Sequence, residues 1–238
     1  GIAVTADDLP VTPSYVTQVR ATGAKAFFTS RWMNAVLVET NSSMVGAISN
    51  LPFVSKVELA APGQKLLGGR VRQIRQKENS AADGVTQSQL QMLGIDKMQQ
   101  AGYYGNGIMV SVLDAGFPGV NLAPAFQPIF SEGRVKMTKD FVTNSGKVYQ
   151  FNQHGTQVLS VIAAQLPGTY TGGAYKADYL LFVTEDVSSV YRIEEYNWLF
   201  AAERADSMGV DVISTSLGYN TFHDASMNYS YSQMNGET

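Results

Sequence analysis

The chain contains no cysteine, so neither a disulfide framework nor a thiolate metal site can stabilise it or work in it. Histidine is nearly as scarce. His154 and His223 are the only two, which argues against a His-rich zinc centre. No apolar run approaches the ~18 residues that a membrane-spanning helix needs. An excess of one charge is also missing: the net charge is −3, which gives no footprint for a nucleic acid or another polyanion. No Gly-rich phosphate loop follows a strand and opens a helix, which weighs against a nucleotide- or phosphoryl-handling site. The first residues, Gly-Ile-Ala-Val-Thr, have neither the basic nor the apolar region of a secretory signal. They also lack Met, so residue 1 reads as a processed or engineered end. What is present is ordinary for a globular chain: 238 residues, 45% hydrophobic and 16% charged, enough for one large domain or two modest ones.

The charge is unevenly placed. Residues 1–81 carry nine Lys/Arg against five Asp/Glu, and residues 82–238 carry eight against fifteen. A basic segment followed by an acidic one suggests two units that attract each other, or two units that each carry their own solvated surface.

The first unit, residues 1–62, reads as α+β in the order αββαβ. Thr12 and Pro13 suit a helix start, Tyr15, Val16 and Val19 its apolar face, and Gly23 its end. Lys25–Ser30 and Asn34–Thr40 are β-rich and flank Arg31-Trp32-Met33, as in a hairpin. Ser42 or Ser43 can cap a second helix stopped by Pro52, and Val54–Leu59 alternates like a half-buried strand. One further strand before residue 1 would complete a ferredoxin-like split βαβ. Residues 63–84 read as a linker, since the apolar period fails there and Lys65, Arg70, Arg72, Arg75 and Lys77 cluster.

From residue 85 strands and helices alternate. The pattern predicts a helix around Ser88–Gln100, a fully buried strand at Ile108–Leu113 and a helix over Thr156–Ala164. It continues with a strand at Tyr179–Val183, a helix over Glu194–Met208 and a strand at Val210–Ile213. This is α/β with a parallel sheet and helices on both faces.

Three short runs could carry chemistry. Asp114 ends the first buried strand, ahead of Ala115-Gly116, where functional groups of open α/β sheets gather. An isolated Asp-x-Gly equally serves to end a strand and cap a turn. His154 opens His-Gly-Thr-Gln-Val. Paired with a strand-end carboxylate, its ring could hold one N–H and leave the other nitrogen as a general base. Ser216-Leu217-Gly218 follows the last strand with small residues that leave backbone groups open to an extended peptide. His223 reads as a solvated loop residue, and Tyr103, Tyr104 and Trp198 as packing residues.

Together the three runs resemble the subtilisin-like serine proteases, the subtilases. Val112-Leu113-Asp114-Ala115-Gly116 matches the Asp block, His154-Gly155-Thr156-Gln157-Val158 the His block, and Ser216-Leu217-Gly218 the substrate-pairing strand. The stretch from Thr184-Glu185-Asp186 to Glu194-Glu195-Tyr196-Asn197-Trp198 is similar to subtilases of Bacteroidetes-type bacteria. Residues 1–62 separately resemble the subtilase propeptide, a ferredoxin-like chaperone and inhibitor. The resemblance implies a secreted or cell-envelope endopeptidase with a propeptide bound in cis and a peptide or protein substrate. Asp114 and His154 would be catalytic and Ser216, Leu217 and Gly218 would bind substrate. The propeptide tail would follow Leu59-Ala60-Ala61-Pro62, with the processing bond in 62–84. Calcium is common in the family, but no dense carboxylate-and-carbonyl loop occurs here, so no residue is assigned to a metal or cofactor.

Two family blocks are absent. Gly-Thr occurs only at 155–156 and 168–169, and neither is followed by the Ser of a Gly-Thr-Ser block. The Ala-Gly-Asn block of the oxyanion hole is missing too. The expectation is an N-terminal part of such a protease, inactive by itself. The last strand would then be an exposed edge open to self-association. The alternative is a non-catalytic pseudoprotease or inhibitory module that binds extended peptides.

Overall fold

The structure is a computed structural model and describes residues 4–62 and 86–233. The expected linker and processing region at 63–84 lies outside the described residues. The chain forms two compact units: residues 1–69 with 189–204 and 219–238, and residues 70–188 with 205–218.

In the first unit, α1 spans Pro13–Ala21 and α2 Ser42–Ser49, on either side of an antiparallel hairpin of β1 (Lys25–Ser30) and β2 (Ala35–Glu39). Pro13 occupies the first turn of α1, where its missing N–H costs nothing, although the Thr12 side chain makes no capping bond. Asn41 rather than Ser42 or Ser43 stands at the cap of α2. The apolar faces meet in a small core of Val19, Ala24 and Ile48, with Val38, Leu51, Phe53 and Val54 against it.

Val54–Leu59 corrects the sequence expectation. It forms no ladder with β1 or β2, and its apolar positions Val57 and Leu59 are exposed. Alternation marks a chain able to lie extended, but a strand also needs a partner edge. Instead, the Glu58 side chain and the Ala60 carbonyl just after the segment bond to a helix. That helix, α7 (Ile193–Ser207), groups with this unit up to Arg204. The Ile193 amide donates to the Ala60 carbonyl at 3.0 Å, and the Tyr196 hydroxyl to the Glu58 carboxylate at 2.9 Å. Farther along α7, Ser30 Oγ donates to Glu203, the Arg31 amide donates to its second oxygen at 3.1 Å, and Phe28 packs on Phe200.

The second unit is built on a four-stranded parallel sheet in the order β4 (Val135–Asp140), β7 (Asp178–Val183), β3 (Met109–Asp114), β8 (Val212–Thr215). The expected helix over 88–100 is two helices, α3 (Gln87–Met92) and α4 (Ile95–Gln100), because the chain turns left-handed at Gly94 with φ 70°. The helix α5 (Gln127–Ser131), the strand β4 and a two-residue hairpin of β5 (Gln165–Leu166) and β6 (Tyr170–Thr171) complete the unit with α6 (His154–Ala163). None of α5, β4, β5 and β6 was anticipated from the pattern. Strand parity organises the core. Val110, Val112, Tyr179, Leu181 and Val183 point to one face and pack with Leu159 and Ala163 of α6. Leu113, Leu180 and Phe182 point to the other face and are also buried. The last strand begins two residues later than expected and is an edge, with Val212 50% and Ile213 38% exposed.

Candidate active site

Asp114 is in phase with Val110 and Val112, so it leaves the carboxyl end of β3 on the face that α6 covers. His154 is the first residue of α6. One element therefore delivers the acid and the other the imidazole. His154 Nδ1 lies 2.8 Å from Asp114 Oδ1 and 3.0 Å from Oδ2. The carboxylate has no solvent exposure, whereas the His154 side chain is 44% exposed. A carboxylate only accepts, so the arrangement assigns the proton to Nδ1 and leaves Nε2 with its lone pair.

The approach is set by two glycines. A Cβ at Gly155 would fall 2.4 Å from the Gly116 carbonyl oxygen and 2.8 Å from Asp114 Cβ, so no larger residue lets α6 come this close to β3. Gly116 has φ +142°, and a Cβ there would meet the Gln150 carbonyl oxygen at 2.3 Å. Thr156 Oγ1 donates to the Pro118 carbonyl at 2.9 Å and ties the same turn down from the helix side.

Burial raises the Asp114 pKa above its ordinary value, opposed by the Ala115 amide, which donates to Oδ1 at 2.6 Å, and by His154. Asp114 thus does both things that the sequence allowed, capping the turn after β3 and holding the imidazole.

Ser216, Leu217 and Gly218 do not continue the strand, which stops at Thr215; they form an irregular segment immediately after it. The register pairs Leu113 with Thr215, so Ser216 leaves the sheet level with Asp114, at the same carboxyl edge. Ser216 and Gly218 are exposed and Leu217 is half-buried. His223 is exposed, but its Nδ1 accepts the Val190 amide at 2.8 Å, which makes it a fastener of its loop. Tyr104 stacks obliquely on Tyr175 as a packing residue should, whereas Tyr103 is 67% exposed and packs little of its ring. Among the described residues no group of three His, Cys, Asp or Glu side chains could hold a metal ion. No helix among them is long and apolar enough to cross a membrane.

The residues that the motif reading missed lie just before His154. Asn152 Oδ1 accepts the His154 amide at 2.8 Å, and Phe151 has a left-handed backbone with φ 75°. An Asn two residues ahead of a helix start is a readable signal for the first; no sequence signal marks the second.

Two family models match the chain. One is described as the peptidase S8 propeptide domain of Bacteroidota and covers residues 1–80; the other is described as the subtilase family and covers residues 105–238. No curated protein matches. Among solved structures the chain is similar to fervidolysin from Fervidobacterium pennivorans, a keratinolytic enzyme related to subtilisin. The TM-score is 0.56 at 19% identity, covering 93% of this chain and 36% of that one. It is also similar to EpiP, the epidermin leader peptide processing serine protease of Staphylococcus aureus. There the TM-score is 0.54 at 11% identity, covering 86% of this chain and 48% of that one. The present chain therefore spans less than half the length of either neighbour, and at such identities the likeness is one of fold.

Proposed function

Because the chain belongs to the subtilase family and carries an S8-type propeptide in its first 80 residues, we propose that it supplies the propeptide, the orienting acid and the general base of a subtilisin-type serine endopeptidase. The contact between Asp114 and His154 carries this reading. Asp114 fixes the Nδ1–H tautomer and stabilises the imidazolium. Nε2 takes the proton of the attacking serine hydroxyl and then returns it to the leaving amine. The raised Asp114 pKa states what this arrangement costs, a buried carboxylate, and its hydrogen bonds to Ala115 and His154 are what offset that cost.

The nucleophile is not among these residues, because no Gly-Thr-Ser block occurs in the sequence. On this reading it comes from beyond the 238 residues, and the chain alone hydrolyses no peptide. An extended peptide pairs with the open backbone of Ser216–Gly218, at the same sheet edge as Asp114. The propeptide acts in cis, processing falls between residues 62 and 84, and the enzyme works outside the cytoplasm or in the envelope. The exposed edge of β8 is open to pairing with a further strand or with a second copy.

Expression of the full-length protein with an unfolded protein substrate tests the reading. The wild type cleaves the substrate, and His154→Ala loses cleavage by several orders of magnitude. Undiminished cleavage by His154→Ala would contradict it.

A further inference from the structure

The turn before His154 contains a backbone conformation and a side-chain bond that the Asp–His contact alone does not explain. Resting on the reading above, we infer that Phe151 and Asn152 are positioning residues that aim the His154 ring at Asp114. They act through the backbone and touch no reacting atom.

The inference starts from the helix. The first amides of a helix have no partner within it, and His154 stands at the first position of α6. Gln153, at the cap, makes no side-chain capping bond. Asn152 takes over that task from one residue further back, with Oδ1 accepting the His154 amide at 2.8 Å in an Asx turn. The bond fixes the very peptide from which the imidazole projects.

Asn152 can do this only if its own backbone is held. Three contacts hold it against the loop that follows Asp114. The Phe117 amide donates to the Val148 carbonyl at 2.9 Å, Gly116 and Phe151 form an antiparallel bridge, and the Asn152 amide reaches the Ala115 carbonyl at 3.4 Å. The loop carrying the acid and the loop carrying the base are thus laced together residue by residue.

The lacing requires Phe151 to adopt φ 75°, a region that L side chains other than Asn and Asp rarely enter. Such strain persists only where surrounding structure overdetermines it, and here the Phe151 side chain packs against the main core of the unit. A glycine would accept the same backbone without strain but would lose that anchor. The phenyl ring gives this strained backbone a contact with the core that glycine could not supply.

The two histidines make the test internally controlled. His154 is placed to carry its proton on Nδ1, and His223, whose Nδ1 accepts the Val190 amide, on Nε2. Nitrogen-15 spectra of the histidine rings distinguish the tautomers in alkaline buffer, where imidazole is neutral. They can be recorded on the 238-residue chain without any activity. In the wild type His154 shows the Nδ1–H pattern and His223 the Nε2–H pattern. Asn152→Ala is expected to lower the Nδ1–H share of His154 several-fold while His223 stays unchanged. Asn152→Ser, which restores a side-chain acceptor, returns it. Phe151→Ala, which keeps the strained backbone without the anchor, behaves as Asn152→Ala does; should it fail to fold, the Asn152 pair still decides. A His154 pattern unchanged in Asn152→Ala, but altered in Asp114→Asn, would overturn the positioning role and leave the Asp–His reading standing. A pattern unchanged in Asp114→Asn would overturn both.

Discussion

The parallel sheet and the β1–β2 hairpin are held by different means. Strands β3 and β7 are buried on both faces, and the residues from Tyr179 to Val183 have no solvent exposure at all. The hairpin is half-buried along most of its length, and among the described residues the core cluster beside it is built on the buried side chains of Val19, Ala24 and Ile48, each 5% exposed. What the first unit lacks in dry core it supplies with polar contacts on α7: Glu203 on Ser30 and Arg31, Tyr196 on Glu58, and Ile193 on Ala60. Apolar burial is non-directional and permanent in water, whereas a few charge-assisted hydrogen bonds are individually breakable. The first arrangement suits a scaffold, and the second suits the removable propeptide of the proposed function.

The largest expected effect sets the two cores against each other. Phe182→Ala should destabilise the sheet by about 3–5 kcal/mol, as for other buried aromatics, and Ile48→Ala the first unit by about 2 kcal/mol. Denaturant titration of each variant checks this, and equal losses would break the contrast between a dry core and a thin one. Glu203→Ala comes next. It removes the carboxylate that accepts from the Ser30 hydroxyl, a residue 1% exposed, and from the Arg31 amide, while Ser30 Oγ keeps the Met33 amide, at about 2 kcal/mol. Hydrogen exchange should show amides 25–39 losing protection while those of β3 and β7 keep theirs.

Asp114→Asn should act in the opposite direction. An acid whose folded pKa is raised above 3.8 favours the fold below that value and loses this contribution as pH rises through the folded pKa. At neutral pH the charge is therefore a net cost. Removing it should raise Tm, as thermal unfolding of the variant at neutral pH would show. A fall in Tm would show that the bond to His154 outweighs burial.

The smallest effect concerns Glu58. The Lys56 ammonium first, and then the Tyr196 hydroxyl, hold its carboxyl below 4.5. The contribution is present above pH 4.5 and lost as pH falls through the lower folded value. Because Glu58 is largely exposed, it amounts to ~0.3 kcal/mol. The protection factor of the Ile193 amide, taken relative to the intrinsic exchange rate at each pH, should fall modestly in acid, and Glu58→Gln should remove that pH dependence.

The sequence made the buried strands and the amphipathic helices legible because hydrophobic period reports burial directly. The Asp and His blocks were legible for a related reason: a strand end, a helix start and the small Gly155 must coincide for the two groups to meet. Val54–Leu59 misled because alternation says nothing of whether a partner edge is available. Ser216–Gly218 was readable only as a strand end, since small residues and glycine permit an irregular exit without specifying its course. The left-handed Phe151 was invisible, since its conformation is imposed by the loop that follows Asp114 and not by its own preference.

The most direct test is the kcat of Asp114→Asn in the full-length protein. If the carboxylate sets the His154 tautomer, kcat falls on the order of 10³–10⁴-fold with KM little changed, while the protein remains folded. A kcat within tenfold of the wild type would contradict the account.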